Sequence, residues 1–212
     1  MKLVVFGANT PTGRLVTAMA MAAGHTVTAI TLRPADFPFC DLRVQVAAAD
    51  VMDADAVDWV LRGHDAVISV IGAPPSMKSV DVCSQAAYNI VKAMASHGVR
   101  QLVCVGSTDL DAADLSPVAL LLQRLVRPLT LACSRAVQRD VRHMENVVRA
   151  SGLDWTLIRP GRLVDRARMT GYQVTACPVR RPVTSRADLA HALVHVLVHG
   201  GHVGETVCVA SE

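Results

Sequence analysis

Apolar residues in this chain fall into short runs of strand length that alternate with longer stretches of helical period. The first run, Lys2-Leu3-Val4-Val5-Phe6, passes into a small-residue loop, Gly7 to Arg14, and then into an amphipathic stretch from Leu15 to Ala23 that stops at Gly24. The cadence repeats with strands over His25–Leu32 and Val44–Ala48 and a helix over Ala54–Arg62, N-capped by Asp53 and closed by Gly63. A near-continuous apolar strand, Asp65–Ile71, then ends in Gly72-Ala73-Pro74, and a helix over Val80–Ser96 stops at Gly98. The strand Gln101–Val105 ends in Gly106-Ser107-Thr108. Residues 109–130 break the rhythm with Asp109, Asp111 and Asp114, an apolar run Val118–Leu122, and Pro128. A helix over Leu131–Ser151 and a strand over Asp154–Arg159 follow, the strand stopping at Pro160-Gly161-Arg162. Residues 163–183 lack regular periodicity apart from a short strand at Tyr172–Ala176. Ser185 then caps a helix over Arg186–His199, and Glu205–Ala210 is a closing strand.

Strands apolar on both faces and separated by helices predict right-handed crossovers and an α/β fold: a Rossmann-type doubly wound parallel sheet with helices on both faces. The chain is expected to form a single domain over residues 1–212, with 109–130 and 162–183 as lid segments on the substrate side. Composition refines this picture. Hydrophobic residues make up 51% and aromatic residues only 3%, so the core is predicted to be aliphatic. Of the 21 basic residues 18 are arginine, many of them between Arg124 and Arg149 and between Arg159 and Arg186. Arginine forks suit phosphates and carboxylates, which points to a small anionic molecule as the partner. The net charge of +3, without aromatic interleaving or a basic tail, argues against nucleic acid. No apolar run reaches the roughly 18 residues of a membrane span, and the polar loop from Asn9 to Arg14 interrupts any signal-like segment. The six cysteines are irregularly spaced, as expected for reduced thiols of a cytoplasmic protein. Nothing in the sequence sets the oligomeric state.

The loop at 7–14 carries the most specific chemistry. Strand, glycine-bounded loop and helix in this order form the unit that holds a dinucleotide pyrophosphate. Gly7 allows a sharp turn, and Gly13 allows helix and strand to approach while backbone N–H groups face the anion. Thr10 and Thr12 are candidate hydroxyl donors, and Arg14 supplies charge. The spacing is GxxxxxG, with Thr10 where a middle glycine is usual. At the end of the second strand Arg33 stands where an NAD-preferring unit places an acidic residue, which favours the 2′-phosphate of NADP. Gly72, at a strand end, admits a ligand close to the backbone.

These landmarks together resemble the atypical short-chain dehydrogenase/reductase proteins with an NAD(P)H-binding domain, in the biliverdin reductase B (flavin reductase)-like and NmrA-like branch. The stretches that carry the resemblance are GANTPTG (7–13), DAVISVIG (65–72), NIVKAMASHGV (89–99), VCVGST (103–108), VVRASGLDWTLIRPG (147–161) and TSRADLAHAL (184–193). The resemblance implies NADP as cofactor along the strand ends. Gly7, Asn9, Thr10, Thr12, Gly13 and Arg14 would serve the pyrophosphate, Arg33 the adenosine phosphate, and Asp50 and Val51 the adenine. Gly72 and Ala73 would lie under the ribose, and Ser107, Thr108, Pro160 and Gly161 beside the nicotinamide.

Departures from the family pattern bear on the chemistry. Carbonyl reduction in short-chain dehydrogenases uses a tyrosine whose phenol pKa is lowered by a lysine four residues on. Here the only such spacing, Tyr88 to Lys92, precedes the fifth strand. The helix at 131–151 has Val137 and Val141 in the expected places, beside Arg139 and Arg142, and contains neither Tyr nor Lys. The chain is therefore expected to be an NADPH-dependent reductase that passes hydride to a planar acceptor needing little acid help, a flavin or a quinone, with Ser107 as the candidate catalytic hydrogen-bond donor. The alternative is an NmrA-like NADP-binding redox sensor without turnover. Gly161 stands where the biliverdin reductase B pattern has a histidine, which counts against tetrapyrrole reduction. His191, His195 and His199 line one face of the last helix and are expected to be a polar outer stripe rather than metal ligands.

Overall fold

β1 (Lys2–Phe6) is an unbroken apolar run because both of its faces are covered. Leu3 and Val5 enter one core cluster, Val4 and Phe6 the other. The computed structural model describes residues 1–72, 81–106, 136–166, 168–176 and 183–212. In chain order they form α1 (Pro11–Ala22), β2 (Thr26–Thr31), a 3₁₀ turn at Pro34–Asp36, β3 (Val44–Ala48), α2 (Ala54–Leu61), β4 (Ala66–Ser69), α3 (Val82–His97) and β5 (Gln101–Val105). Helix α4, described over 136–149, leads to β6 (Asp154–Pro160), β7 (Arg162–Val164), β8 (Tyr172–Ala176), β9 (Val183–Ser185), α5 (Arg186–His199) and β10 (Glu205–Ser211).

The main sheet has the order β3-β2-β1-β4-β5-β6-β10-β8, parallel except for β8, which pairs antiparallel with β10. α1 and α5 cover one face, where Val16 and Ala20 meet Leu189, Leu193 and Val196. α2, α3 and α4 cover the other, through Val57, Leu61, Ile90, Met94, Met144 and Val148. This is the expected doubly wound α/β architecture. The expected helix start at Leu15 moves forward to Pro11 because Thr10 caps the helix and proline fits its first position. The segment 162–183, expected as a lid, contributes β7, which pairs with β9 in a small separate sheet, and β8, which is an edge of the main sheet. The other expected lid, 109–130, lies outside the described residues. Among the described residues, no helix is long and apolar enough to cross a membrane. Cys40 and Cys104 are free thiols, whereas Cys208 is disulfide-bonded, contrary to the expectation of six reduced thiols. Irregular spacing along the chain does not report which cysteines pair.

The far end of the sheet is fastened by one buried carboxylate. Asp188, in the first turn of α5, is fully buried. It accepts from the Thr170 backbone N–H (2.8 Å), the Thr170 hydroxyl (2.7 Å) and the Ser211 hydroxyl (2.5 Å). Ser185 caps the same helix by accepting from the Asp188 N–H at 3.0 Å. Burial pushes the Asp188 carboxyl pKa up, but hydrogen bonds from Ser211, Thr170 and Ser185 outweigh it and hold the group below its ordinary value. A carboxylate with a depressed folded pKa stabilises the fold above its unfolded pKa, and that contribution fades as pH falls through the folded value. Asp188→Asn should therefore cost about 1–3 kcal/mol at neutral pH. In urea titrations the gap from wild type should narrow as pH drops below about 4; a gap independent of pH would contradict this role.

Candidate functional site

The first βα turn is built around an approach that only glycine permits. Gly7 has φ +74°, and a Cβ there would lie 2.8 Å from the Val70 carbonyl oxygen at the end of β4. A Cβ on Gly13 would fall on the Gly7 carbonyl oxygen and 2.8 Å from Ala8 Cα. Thr10 closes the loop from inside. Its hydroxyl donates to the Gly7 carbonyl at 2.9 Å and accepts from the Gly13 N–H at 3.0 Å, making it the N-cap of α1. Ala8 is pinned to β2 through its N–H on the Ile30 carbonyl at 3.2 Å. The backbone N–H groups of Asn9 and Thr12 find no acceptor among the described residues. They sit at the positive end of the α1 dipole, an arrangement that fits an anion. Because β1 lies between β2 and β4, where the strand order reverses, this loop stands at the topological switch point of the sheet.

The hydroxyl expected as a phosphate donor at Thr10 is thus engaged within the loop. Arg14 is likewise engaged by a residue of the same turn. Its Nε and Nη2 both donate to Asn9 Oδ1 (3.0 and 2.7 Å), and Nη2 also reaches the Asp36 carbonyl (3.4 Å). Arg33 stands nearby with its side chain 82% exposed and its guanidinium 3.7 Å from the Asp36 carboxylate. Two cationic side chains therefore converge on the 3₁₀ turn beyond β2. Thr12 is buried in the first turn of α1.

The remaining strand ends lie along the same edge. Asp50 and Val51 follow β3; the Asp50 carboxylate accepts from the Met52 N–H at 2.9 Å, and the Val51 carbonyl accepts from Asn89 Nδ2 at 2.9 Å. Asn89 is itself oriented by Gln85 at 3.0 Å. Sequence reasoning missed Asn89, although Gln85 and Asn89 are an i,i+4 polar pair in an otherwise apolar helix segment. Gly72 is exposed just beyond β4. Pro160 ends β6, and the Gly161 N–H donates to Thr184 Oγ1 at 2.7 Å, a fully buried hydroxyl that in turn donates to the Val209 carbonyl. Ala73, Ser107 and Thr108 lie outside the described residues.

Other candidate groups are placed away from this edge or into the core. Tyr88 is 55% exposed on α3. Val141 packs against the cluster under α3 and α4. Cys104 is buried beside a small apolar cavity that it shares with Cys83, Ile90 and Met144, and burial pushes its thiol up to about 12, which makes it a poor nucleophile. The three histidines of α5 form a ladder: His191 and His195 stack at 5.7 Å, His195 and His199 approach to 4.1 Å, and the Tyr172 hydroxyl lies 2.8 Å from His191 Nδ1. Burial, then its two histidine neighbours, lower the His195 pKa. Among the described residues no group of three or more His, Cys, Asp or Glu is placed to hold a metal ion.

Known proteins resemble this chain along nearly its whole length. Residues 7–200 match the model of a family described as NAD(P)H-binding. A (4-alkanoyl-5-oxo-2,5-dihydrofuran-3-yl)methyl phosphate reductase from Streptomyces griseus is 26% identical over 98% of this chain and 67% of its own. Among solved structures, a short-chain dehydrogenase/reductase from Veillonella parvula in complex with NADP superposes with a TM-score of 0.76 at 18% identity, over 99% of this chain and 94% of that one. An anaerobilin reductase from Escherichia coli O157:H7 does so with a TM-score of 0.75 at 20% identity, over 100% and 97% of the two chains.

The loop geometry sets two expectations for thermal unfolding. Thr10→Ala, which removes the cap and the Gly7 contact, should destabilise by about 1 kcal/mol, while Thr10→Ser should retain most of that. Gly13→Ala should be far more damaging, because the added methyl group meets backbone that cannot step aside. Equal melting shifts for Thr10→Ala and Gly13→Ala would refute the closed-loop description.

Proposed function

The chain belongs to the NAD(P)H-binding family, and from that membership we propose that it is an NADPH-dependent reductase of a small planar acceptor, a flavin or a quinone. The observation that carries the reading is the closed loop from Gly7 to Gly13 at the switch point, with the Asn9 and Thr12 N–H groups left without acceptors among the described residues. These donors and the α1 dipole would hold the pyrophosphate. Asp50 and Val51 would border the adenine, and Gly72 and Ala73 the ribose. Arg33 would bind the adenosine 2′-phosphate, exchanging its long, exposed contact with Asp36 for a charge-assisted one. When bound, the nicotinamide supplies a hydride. Ser107, Thr108, Pro160 and Gly161 would flank it, with Ser107 as donor to the acceptor or the carboxamide.

One further feature favours a flavin or quinone over a simple ketone. The stretch 131–151 contains neither tyrosine nor lysine, so no phenol of that helix delivers a proton. The reductases from Streptomyces griseus and Escherichia coli named above also support reduction as the reaction class. Arg162, exposed at the start of β7 directly after Gly161, suits an acceptor that carries an anionic group.

NADPH oxidation with FMN, riboflavin or a quinone should be rapid and sustained. Inertness across that panel, with NADPH binding intact, would replace the reductase by a redox sensor. Arg33→Ala should weaken NADPH binding by roughly tenfold or more and leave NADH nearly unchanged, since loss of one charge-assisted hydrogen bond costs about 1.5–3 kcal/mol. Parallel losses for both cofactors in equilibrium titrations would remove Arg33 from the phosphate site.

A further inference from the structure

The outer face of α5 carries three histidines, each about one turn from the next. His191 is half-buried, whereas His195 and His199 are exposed. Between them Ala192, Leu193, Val196 and Leu197 are buried in the core that α5 shares with α1 and the sheet, so the helix is firmly seated and the rings stand on its free side. A spacing of four residues puts neighbouring side chains on one face, with Cβ atoms about 5–6 Å apart. The rings of His195 and His199 come closer than this, with centroids 4.1 Å apart, whereas those of His191 and His195 stack at 5.7 Å.

Hydrogen bonds decide which ring nitrogens keep a lone pair. His199 Nδ1 lies 2.9 Å from the His195 backbone carbonyl oxygen. A carbonyl only accepts, so Nδ1 carries the proton and Nε2 is left as the electron-pair donor. An imidazole anchored through Nδ1–H on a carbonyl is the common state of a metal-ligating histidine. His191 is tied differently, with Nδ1 2.8 Å from the Tyr172 hydroxyl. Burial and then the Asp188 carboxylate raise the Tyr172 pKa, so the phenol keeps its proton and directs it to Nδ1. The proton of the neutral His191 ring then sits on Nε2 and occupies the remaining ligand position. Burial, then His199 and His191, lower the His195 pKa, so its ring is neutral and holds a lone pair at neutral pH.

Distance and charge select the same pair. Two imidazoles on one tetrahedral ion, with metal–nitrogen bonds of about 2.0–2.1 Å, have centroids about 5 Å apart. From 4.1 Å the two exposed rings of His195 and His199 need to part by only about 1 Å. His191 and His199 are about 12 Å apart along the helix axis and cannot share an ion. α5 ends at His199, with Gly200 in the left-handed conformation as its cap. The negative end of the helix dipole therefore lies at this turn and favours a cation.

We propose that His195 and His199 form a two-residue chelate for a late first-row divalent cation on the last turn of α5. Water fills the other positions, since among the described residues no third ligand joins the pair. With two protein ligands the ion is exchangeable, unlike the closed four-ligand sites that hold a structural metal. The site lies about 20 Å along α5 from Ser185, which caps the other end of the helix. It stands independently of the reductase reading.

The test is calorimetric titration of the full-length chain, without an affinity tag, with Ni²⁺ and with Zn²⁺ at about pH 7.5. Ni²⁺ should bind more tightly than Zn²⁺, following the general order for nitrogen ligands. His195→Ala and His199→Ala should each weaken Ni²⁺ binding by about tenfold or more, while His191→Ala should change it by less than about twofold. Both substituted rings are exposed and alanine favours helix, so these variants keep the fold. Proton NMR should show Ni²⁺ broadening the ring signals of His195 and His199 before those of the other histidines. Lowering the pH to about 5.5 should weaken binding, because protons compete for the same nitrogens. Equal losses for His191→Ala and His199→Ala would overturn the proposal. So would Ni²⁺ binding that His195→Ala leaves intact, or no uptake by the wild-type chain up to about 1 mM Ni²⁺.

Discussion

Everything at the functional edge depends on the contact between the first turn of α1 and the turn that leaves β1. A helix can start this close to a strand only if neither partner carries a side chain there, and Gly7 and Gly13 meet that condition. Thr10 then fastens the pair with a donor and an acceptor on one hydroxyl. Because the contact brings the positive end of α1 to the switch point of the sheet, it decides both where the proposed pyrophosphate would lie and how α1 lies over Val5 and Ala29. The other strand ends contribute shape and charge around a position already set.

Charge inside the fold follows a similar economy. Asp140, Glu145 and Asp188 are each buried, and each is surrounded by donors from different parts of the chain. A buried carboxylate without partners would be protonated or would unfold its surroundings. With partners, each becomes a junction: Asp140 between α4 and α3, Glu145 between α4 and β6, and Asp188 between α5, β10 and the chain before β8. Two of the three lie on α4, whose apolar face does no more than any other helix to locate the strand ends.

The sheet was legible in the sequence because parallel strands buried on both faces are written as plain apolar runs, as in Val4-Val5-Phe6 and Ala66-Val67-Ile68. The caps at Asp53 and Ser185 were legible for a similar reason, since the residue that forms each cap lies beside the helix it caps. The direction of β8 was not, because strand periodicity is the same whichever way a strand pairs. The hydroxyl of Thr10 and the guanidinium of Arg14 were expected to face a ligand and instead bind the loop and Asn9. A side chain with a donor names what it can bond, and only the fold says which acceptor it reaches first. Asn89, Thr184 and Glu145 escaped notice because their partners are distant in sequence.

The cap on α3 has a consequence for how the chain acquires this structure. The residue before the helix, Asp81, makes no side-chain cap bond, and the carboxylate that does the work belongs to Asp140, 57 positions beyond Cys83. As the polypeptide is synthesised from its N-terminus, β1 through β5 can emerge and pair while the first turn of α3 still has open N–H groups. That turn is completed only when α4 has been made and has docked. The N-terminal strands and the C-terminal helices therefore do not mature as separate halves. A long-range contact of this kind slows folding and makes its final step cooperative, so that the two sides of the crevice become ordered together.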